Sequence, residues 1–170
     1  MVDSPRYATE LVKWLRDAGG IAHILLSHRD DVADADKYTR EFGARVWIHR
    51  DDHSAAPYAT DLLEDRSVRA IAPGVRAIPV PGHTRGSVAY LLDDRVLFSG
   101  DSLAWSTRER DLVAFKDACW YSWTELTESL SKLAAYRFEW LLPGHGWPAH
   151  LPAAEMNARV VALVARMRQV

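Results

Sequence analysis

Four residues carry the first chemical signal, His28, His83, Asp101 and His145, and each closes a short apolar run. His83 stands in P-G-H-T-R-G-S over residues 81–87, Asp101 ends F-S-G-D over 98–101, and His145 sits in L-P-G-H-G over 142–146. Imidazole nitrogen and carboxylate oxygen are donors that a borderline or hard divalent cation takes. Loops at strand ends are where a rigid scaffold aims such donors at one point. A single histidine leaving a core is an ordinary polar residue. The repeated design is what raises His28, His83 and His145, and in the latter two a glycine before the histidine lets the backbone turn and approach an ion closely. The remaining histidines lack that setting. His23 lies inside an apolar run and reads as structural, His53 and His150 sit in polar loops and read as solvated, and His49 ends a strand beside His28.

Those loops need strands to hang from. Apolar patterning places strands over 21–26 and 45–48, flanking a helix over 32–42 as a parallel βαβ unit whose C-terminal ends carry His28 and His49. Before them a helix over 6–17 takes Asp3 or Ser4 as its cap and Gly19-Gly20 as its stop. A short helical piece is expected over 59–63 and two strands over 68–80 around Pro73-Gly74. A hairpin of 87–92 and 95–98 turns at Asp93-Asp94, followed by a short strand at 112–115. A helix over 122–136 capped by Ser122, a strand at 138–142 and a helix over 152–168 close the chain. Helical and strand tryptophans usually face a core, which is the reading for Trp123 and Trp140.

The 170 residues suffice for one core, so residues 1–170 read as a single α/β (α+β) domain. Net charge is -2 with both signs interspersed, which leaves no basic stripe for nucleic acid and no polybasic anchor for lipid. The one cysteine, Cys119, excludes an intramolecular disulfide, and a cytoplasmic location with no membrane partner is the expectation. Residues 1–6 have the look of a strand's end, so the chain reads as starting inside its fold.

H-R-D-D-V-A-D over 28–34, then P-G-H-T-R-G-S, S-G-D-S and L-P-G-H-G, in this order, resemble the metallo-β-lactamase superfamily over nearly the whole chain. The resemblance implies a four-layer αβ/βα sandwich with one or two metal ions at one sheet edge. His28 matches the first histidine of the family's H-x-H-x-D-H motif, His83 its G-H-T-x-G-S histidine, Asp101 its bridging carboxylate and His145 its late histidine. Three positions depart: Asp30 stands for the second histidine, Val32 for the aspartate and Ala33 for the next histidine. Valine and alanine bind no metal, so the second metal position keeps Asp101 and His145 alone, and Asp30 is an oxygen ligand for the first. Asp31 and Asp34, at the start of the expected helix, read as caps.

These residues imply His28, Asp30, His83, Asp101 and His145 as ligands of one divalent ion ahead of two, zinc or iron or manganese, with an empty site as the rival. Asp101 and His145 are the catalytic candidates. The implied activity is hydrolysis of a small ester-, thioester- or amide-like substrate by metal-activated water. A non-catalytic binding module and an iron-dependent oxidoreductase of the same fold are the alternatives. Trp105, Lys116, Trp120 and Trp147 follow the ligand loops and are the substrate-wall candidates, with Ser87 and Thr84 supporting the loop around His83. The resemblance also implies strands ahead of Met1. Their absence leaves an uncovered edge on the first sheet, for a homo-oligomer or a partner segment to cover.

Overall fold

The structure, a computed structural model, describes residues 1–169. Its first residues lie beside a strand: Val2 bridges Leu25 in parallel, Leu25 N donates to Met1 O and Asp3 N to Leu25 O. Helix α1 (Thr9–Asp17) starts three residues later than its pattern suggests, and its cap position is Ala8 with no side-chain bond. The expected cap, Asp3, is engaged elsewhere and takes both the backbone N–H and the hydroxyl of Ser27.

Strand β1 (His23–Leu25), helix α2 (Ala35–Phe42) and strand β2 (Arg45–His49) form the parallel βαβ unit, with His23 paired to Arg45 and Leu25 to Trp47. The start of α2 falls three residues after position 32 because Ala33 takes φ 30°, off the helical region. Gly43 ends the helix in the left-handed region at φ 64°. A 3₁₀ turn over Arg50–Ala55 carries His53, and beyond it Asp61–Leu63 is strand β3, parallel to β2. A helical piece was expected over 59–63. Tertiary pairing decides otherwise, with the Thr60 hydroxyl accepting from Val46 N at 2.9 Å to draw this segment along β2.

Strands β4 (Arg69–Ala72), β5 (Val75–Pro79), β6 (Val88–Leu92) and β7 (Val96–Gly100) make an antiparallel meander. Between β6 and β7, Asp93 and Asp94 both take φ 51°, the two-residue turn whose twist matches the strands. A separate hairpin follows, β8 (Ala104–Ser106) with β9 (Asp111–Val113). Then come α3 (Trp123–Leu133), β10 (Trp140–Pro143), β11 (Ala149–His150) and α4 (Ala153–Met167). Ser122 caps α3 as expected, its hydroxyl accepting from Glu125 N at 3.2 Å. Trp123 is partly buried, its ring N–H donating to Met167 O. Trp140 corrects the core reading: it is exposed, and His150, placed in β11, stacks on it at 4.1 Å.

Besides the two-stranded sheet of β8 and β9, the described residues form two larger sheets, β1-β2-β3 and β11-β10-β7-β6-β5-β4. Helices α1 and α2 cover the first through Val12, Ile24, Tyr38 and Val46, and α3 and α4 cover the second through Leu97, Leu126, Leu130 and Val160. The sheets face each other through Leu25, Trp47, Ala77, Val88 and Tyr90. This is the expected four-layer αβ/βα arrangement. Two hydrogen bonds cross between the sheets just ahead of His28, from Tyr90 Oη to Leu26 O at 2.9 Å and from Val88 N to Ser27 O at 2.8 Å.

Candidate metal centre

His28 lies beyond β1, His83 beyond β5, Asp101 directly after β7 and His145 beyond β10, so both sheets contribute strand ends to one edge. Nε2 of His28 and Nε2 of His83 are buried and have no hydrogen-bond partner. Both face the same atom, Oδ2 of Asp101, at 3.6 and 3.7 Å. The rings themselves meet edge to face at 4.8 Å. Buried nitrogens are ordinarily satisfied, so two orphans converging on a carboxylate require an occupant. Donors about 2.0–2.2 Å from a tetrahedral cation stand roughly 3.4 Å apart, close to these separations. The residues fit a divalent metal ion.

What surrounds the rings fixes their chemistry. His83 Nδ1 lies 2.7 Å from the Ala118 carbonyl, which only accepts, so Nδ1 carries the proton and Nε2 presents its lone pair. His28 Nδ1 lies 2.9 Å from the Ser27 hydroxyl, which bonds Asp3 Oδ2 at 2.8 Å. With Asp3 ionised, that hydroxyl donates to Asp3 and accepts from His28 Nδ1, again leaving the Nε2 lone pair inward. Burial, the first cause, holds the His28 pKa below its usual value against the pull of Asp101 and Asp31, which favours the neutral ring a metal needs. His145 is the opposite case, with its side chain 70% exposed and Nδ1 2.9 Å from both oxygens of Asp101. Its pKa is raised, first by the hydrogen bond to Asp101 and then by that carboxylate's charge.

Sequence reasoning missed the residue that joins the loops. Asp52, in the 3₁₀ turn and 1% exposed, accepts from Arg29 N at 3.1 Å, from the Thr84 hydroxyl at 2.5 Å and from Gly86 N at 3.3 Å. It ties the loop of His28 to the loop of His83. Thr84 and Ser87 support the same loop, as expected, through Thr84 N to Ser87 Oγ at 2.9 Å. Only the burial of an acid among backbone donors reveals such a clamp. His49 takes no part among the donors; its Nδ1 accepts from Asp51 N and its Nε2 faces Asp65 O.

The expected ligands all come to this edge, with one reassignment. Asp30 Oδ2 stands 3.9 and 3.8 Å from the Nε2 atoms of His28 and His83. His28, His83 and Asp101 form one set whose donor atoms lie within 4.8 Å of each other, and Asp31, Asp101 and His145 form another. Asp31 is therefore not a helix cap: α2 begins four residues later, and the side chain turns into the centre. Asp34 does occupy the cap position but makes no cap bond, its carboxylate accepting instead from Tyr7 N. Gly144 closes over the second set, where an added Cβ would stand 2.7 Å from Asp101 Oδ1 and 2.8 Å from Asp31 Oδ2. Of the wall candidates, Trp120 is exposed with its ring 5.5 Å from that of His83, and Trp147 is exposed beyond His145. Trp105 packs against the core under Arg159, and the Lys116 ammonium lies 5.8 Å over the Trp123 ring.

The family model of the metallo-β-lactamase superfamily matches residues 8–145. A hydroxyacylglutathione hydrolase of Cereibacter sphaeroides is 35% identical over 168 residues, 95% of this chain and 60% of that protein. The chain thus spans somewhat over half the length of the curated relative it matches. Among solved structures, VMB-1 superposes with a TM-score of 0.73 at 17% identity, covering 99% of this chain and 80% of that one. TTHA1623, solved in a di-iron-bound form, superposes with a TM-score of 0.66 at 23% identity over 94% of this chain and 86% of that one.

Proposed function

The chain belongs to the metallo-β-lactamase superfamily, and from that premise we propose that it is a metal-dependent hydrolase of a small acyl thioester or related ester. The observation that carries the proposal is the pair of buried, unpartnered Nε2 atoms of His28 and His83 facing Asp101 Oδ2. The hydroxyacylglutathione hydrolase relative, whose name describes an acylated thiol, favours the thioester.

His28, His83 and Asp101, with Asp30 beside them, would hold one divalent ion, and Asp31, Asp101 and His145 offer donors for a second. A divalent ion there supplies Lewis acidity at the substrate carbonyl and hydroxide at neutral pH. The chain's own residues set the geometry. Asp101 Oδ2, facing the histidine pair, orients the attacking water, while Oδ1 is turned toward Gly144. His145 holds Asp101 in place through Nδ1 and leaves its exposed ring at the mouth of the site. Ala118 and Ser27 keep both imidazoles from rotating.

The test is elemental analysis of protein purified without added metal, paired with a thiol-release assay on an acylglutathione thioester and its oxygen ester. Stoichiometric metal with thioester turnover supports the hydrolase. Two irons with redox activity and no turnover mean an oxidoreductase, and no metal at all means a binding module. His83→Ala should lose the bound metal; retention at the wild-type level places the centre elsewhere.

A further inference from the structure

Beside His83 the surface opens into a cleft of about 520 Å³ whose lining includes Arg29, Asp30, His83, Arg85, Trp120 and Tyr121. Two features are left unexplained by metal binding. The first is a pair of guanidiniums, one directly after His28 and one two residues after His83. Among the described residues neither side chain makes a hydrogen bond or ion pair. Arg85 lies 5.1 Å over the Tyr121 ring. The carboxylate whose pKa it helps to depress, Glu125, is already bound by Arg66 and by Tyr121 Oη. The second is Trp120, which is 68% exposed although its ring stands 5.5 Å from a ligand imidazole.

Chance does not bring these groups together. Asp52 bonds the backbone N of Arg29 and that of Gly86, next to Arg85, so one buried carboxylate anchors the backbone at both arginines, and both line the cleft. Three acids also line the cleft: Asp52 is engaged by its three donors, Asp30 faces the lone-pair side of both imidazoles, where a bound cation would hold it, and the Asp51 carboxylate stands toward the loop of His49. Guanidinium forks match the two or three oxygens of a carboxylate or phosphate, and an indole face takes the apolar stem between that anion and the reacting carbonyl.

We propose that this cleft is an anion subsite: Arg29 and Arg85 bind a carboxylate or phosphate on the thiol arm of the substrate, with its stem lying along Trp120. The inference rests on the thioesterase reading, since it names the class of substrate for the same centre. Its chemistry is distinct from the metal's, because it concerns the arm that leaves and not the carbonyl.

The test uses the metal-loaded chain and S-propyl thioethers, which cannot be hydrolysed. One ends in the carboxylate of 3-mercaptopropionate, one in its primary amide, and one in a phosphate. Binding is read by calorimetry and by tryptophan fluorescence. At low salt at least one anion should bind about tenfold or more tighter than the amide, the size expected for hydrogen bonds to a charged group. The better of the two names the source of the anion. In Arg29→Gln/Arg85→Gln the gap should collapse to about twofold, and added salt should shrink it in the wild type. Equal binding of all three ligands, or a gap that survives in the double variant, overturns the subsite. Because no turnover is needed, a retained anion preference with no thioester hydrolysis sinks the thioesterase reading alone.

Discussion

Asp52 sits under both ligand loops, and three donors converge on it, two of them backbone N–H groups. Removing the carboxylate strands those donors in a buried place, at about 1–3 kcal/mol for each group left unsatisfied. Asp52→Ala should therefore lower the urea midpoint and weaken metal retention together, and Asp52→Asn should do less of both. A change in one without the other would separate stability from positioning. Asp3 makes a second prediction at this scale. Burial, opposed by the Ser27 donors and reinforced by Asp31 and Asp101, raises its carboxyl pKa to about 7. An unfolded aspartate titrates near about 4, so between pH 4 and 7 the folded chain keeps a proton that the unfolded chain has released. Stability of the metal-depleted protein should therefore fall as pH rises through that window. The midpoint measured with chelator at pH 5 and pH 8 should drop in the wild type, and that drop should be smaller in Asp3→Asn.

Helix α3 is pressed against the loop that presents His83. At Gly82, φ 154°, an added Cβ would stand 2.3 Å from Leu126 Cβ and 2.4 Å from its Cα. Backbone of a packed helix cannot yield that distance. Gly82→Ala should destabilise by about 1–3 kcal/mol or more, as overpacking does, and should reduce metal content by shifting His83. Differential scanning fluorimetry with elemental analysis reads both; a variant as stable as wild type means that α3 moves freely. The βαβ unit shows how an element boundary can decide chemistry. Ala33 at φ 30° delays α2 to Ala35, and that delay frees Asp31 to face Asp101 and His145. Asp31→Asn should lower the bound metal toward one ion per chain while leaving the set of His28 and His83 loaded. Full retention of two ions would remove Asp31 from the centre.

Across the whole molecule, the centre exists only while the two sheets stay in register, since His28 comes from one and His83, Asp101 and His145 from the other. Tyr90 is the cross-sheet strut, 1% exposed in the layer between them and bonded to Leu26 O two residues before His28. Burial raises its phenol pKa well above the usual value, which favours the protonated hydroxyl that donates to Leu26 O. Tyr90→Phe should cost about 1 kcal/mol for the lost hydrogen bond and Tyr90→Ala about 3–5 kcal/mol for the emptied interlayer, both read by urea denaturation. No helix among the described residues is long and apolar enough to cross a membrane.

Local signals were legible in the residues themselves. The hairpin of β6 and β7 shows in its apolar strands and its Asp93-Asp94 turn, α3 in its period and Ser122 cap, and the candidate donors His83 and His145 in their Pro-Gly-His loops at strand ends. Each of these depends on neighbours within a few positions. Strand β3, the clamp of Asp52 and the inward turn of Asp31 were not legible, because each is settled by groups far away in the chain: β2 for the first, the loops of His28 and His83 for the second, Asp101 and His145 for the third. Residue type and spacing determined which side chains can bind a metal. Only the packing of one sheet on the other decided which of them meet, since the lone pairs of His28 and His83 converge on Asp101 through contacts that no local pattern encodes.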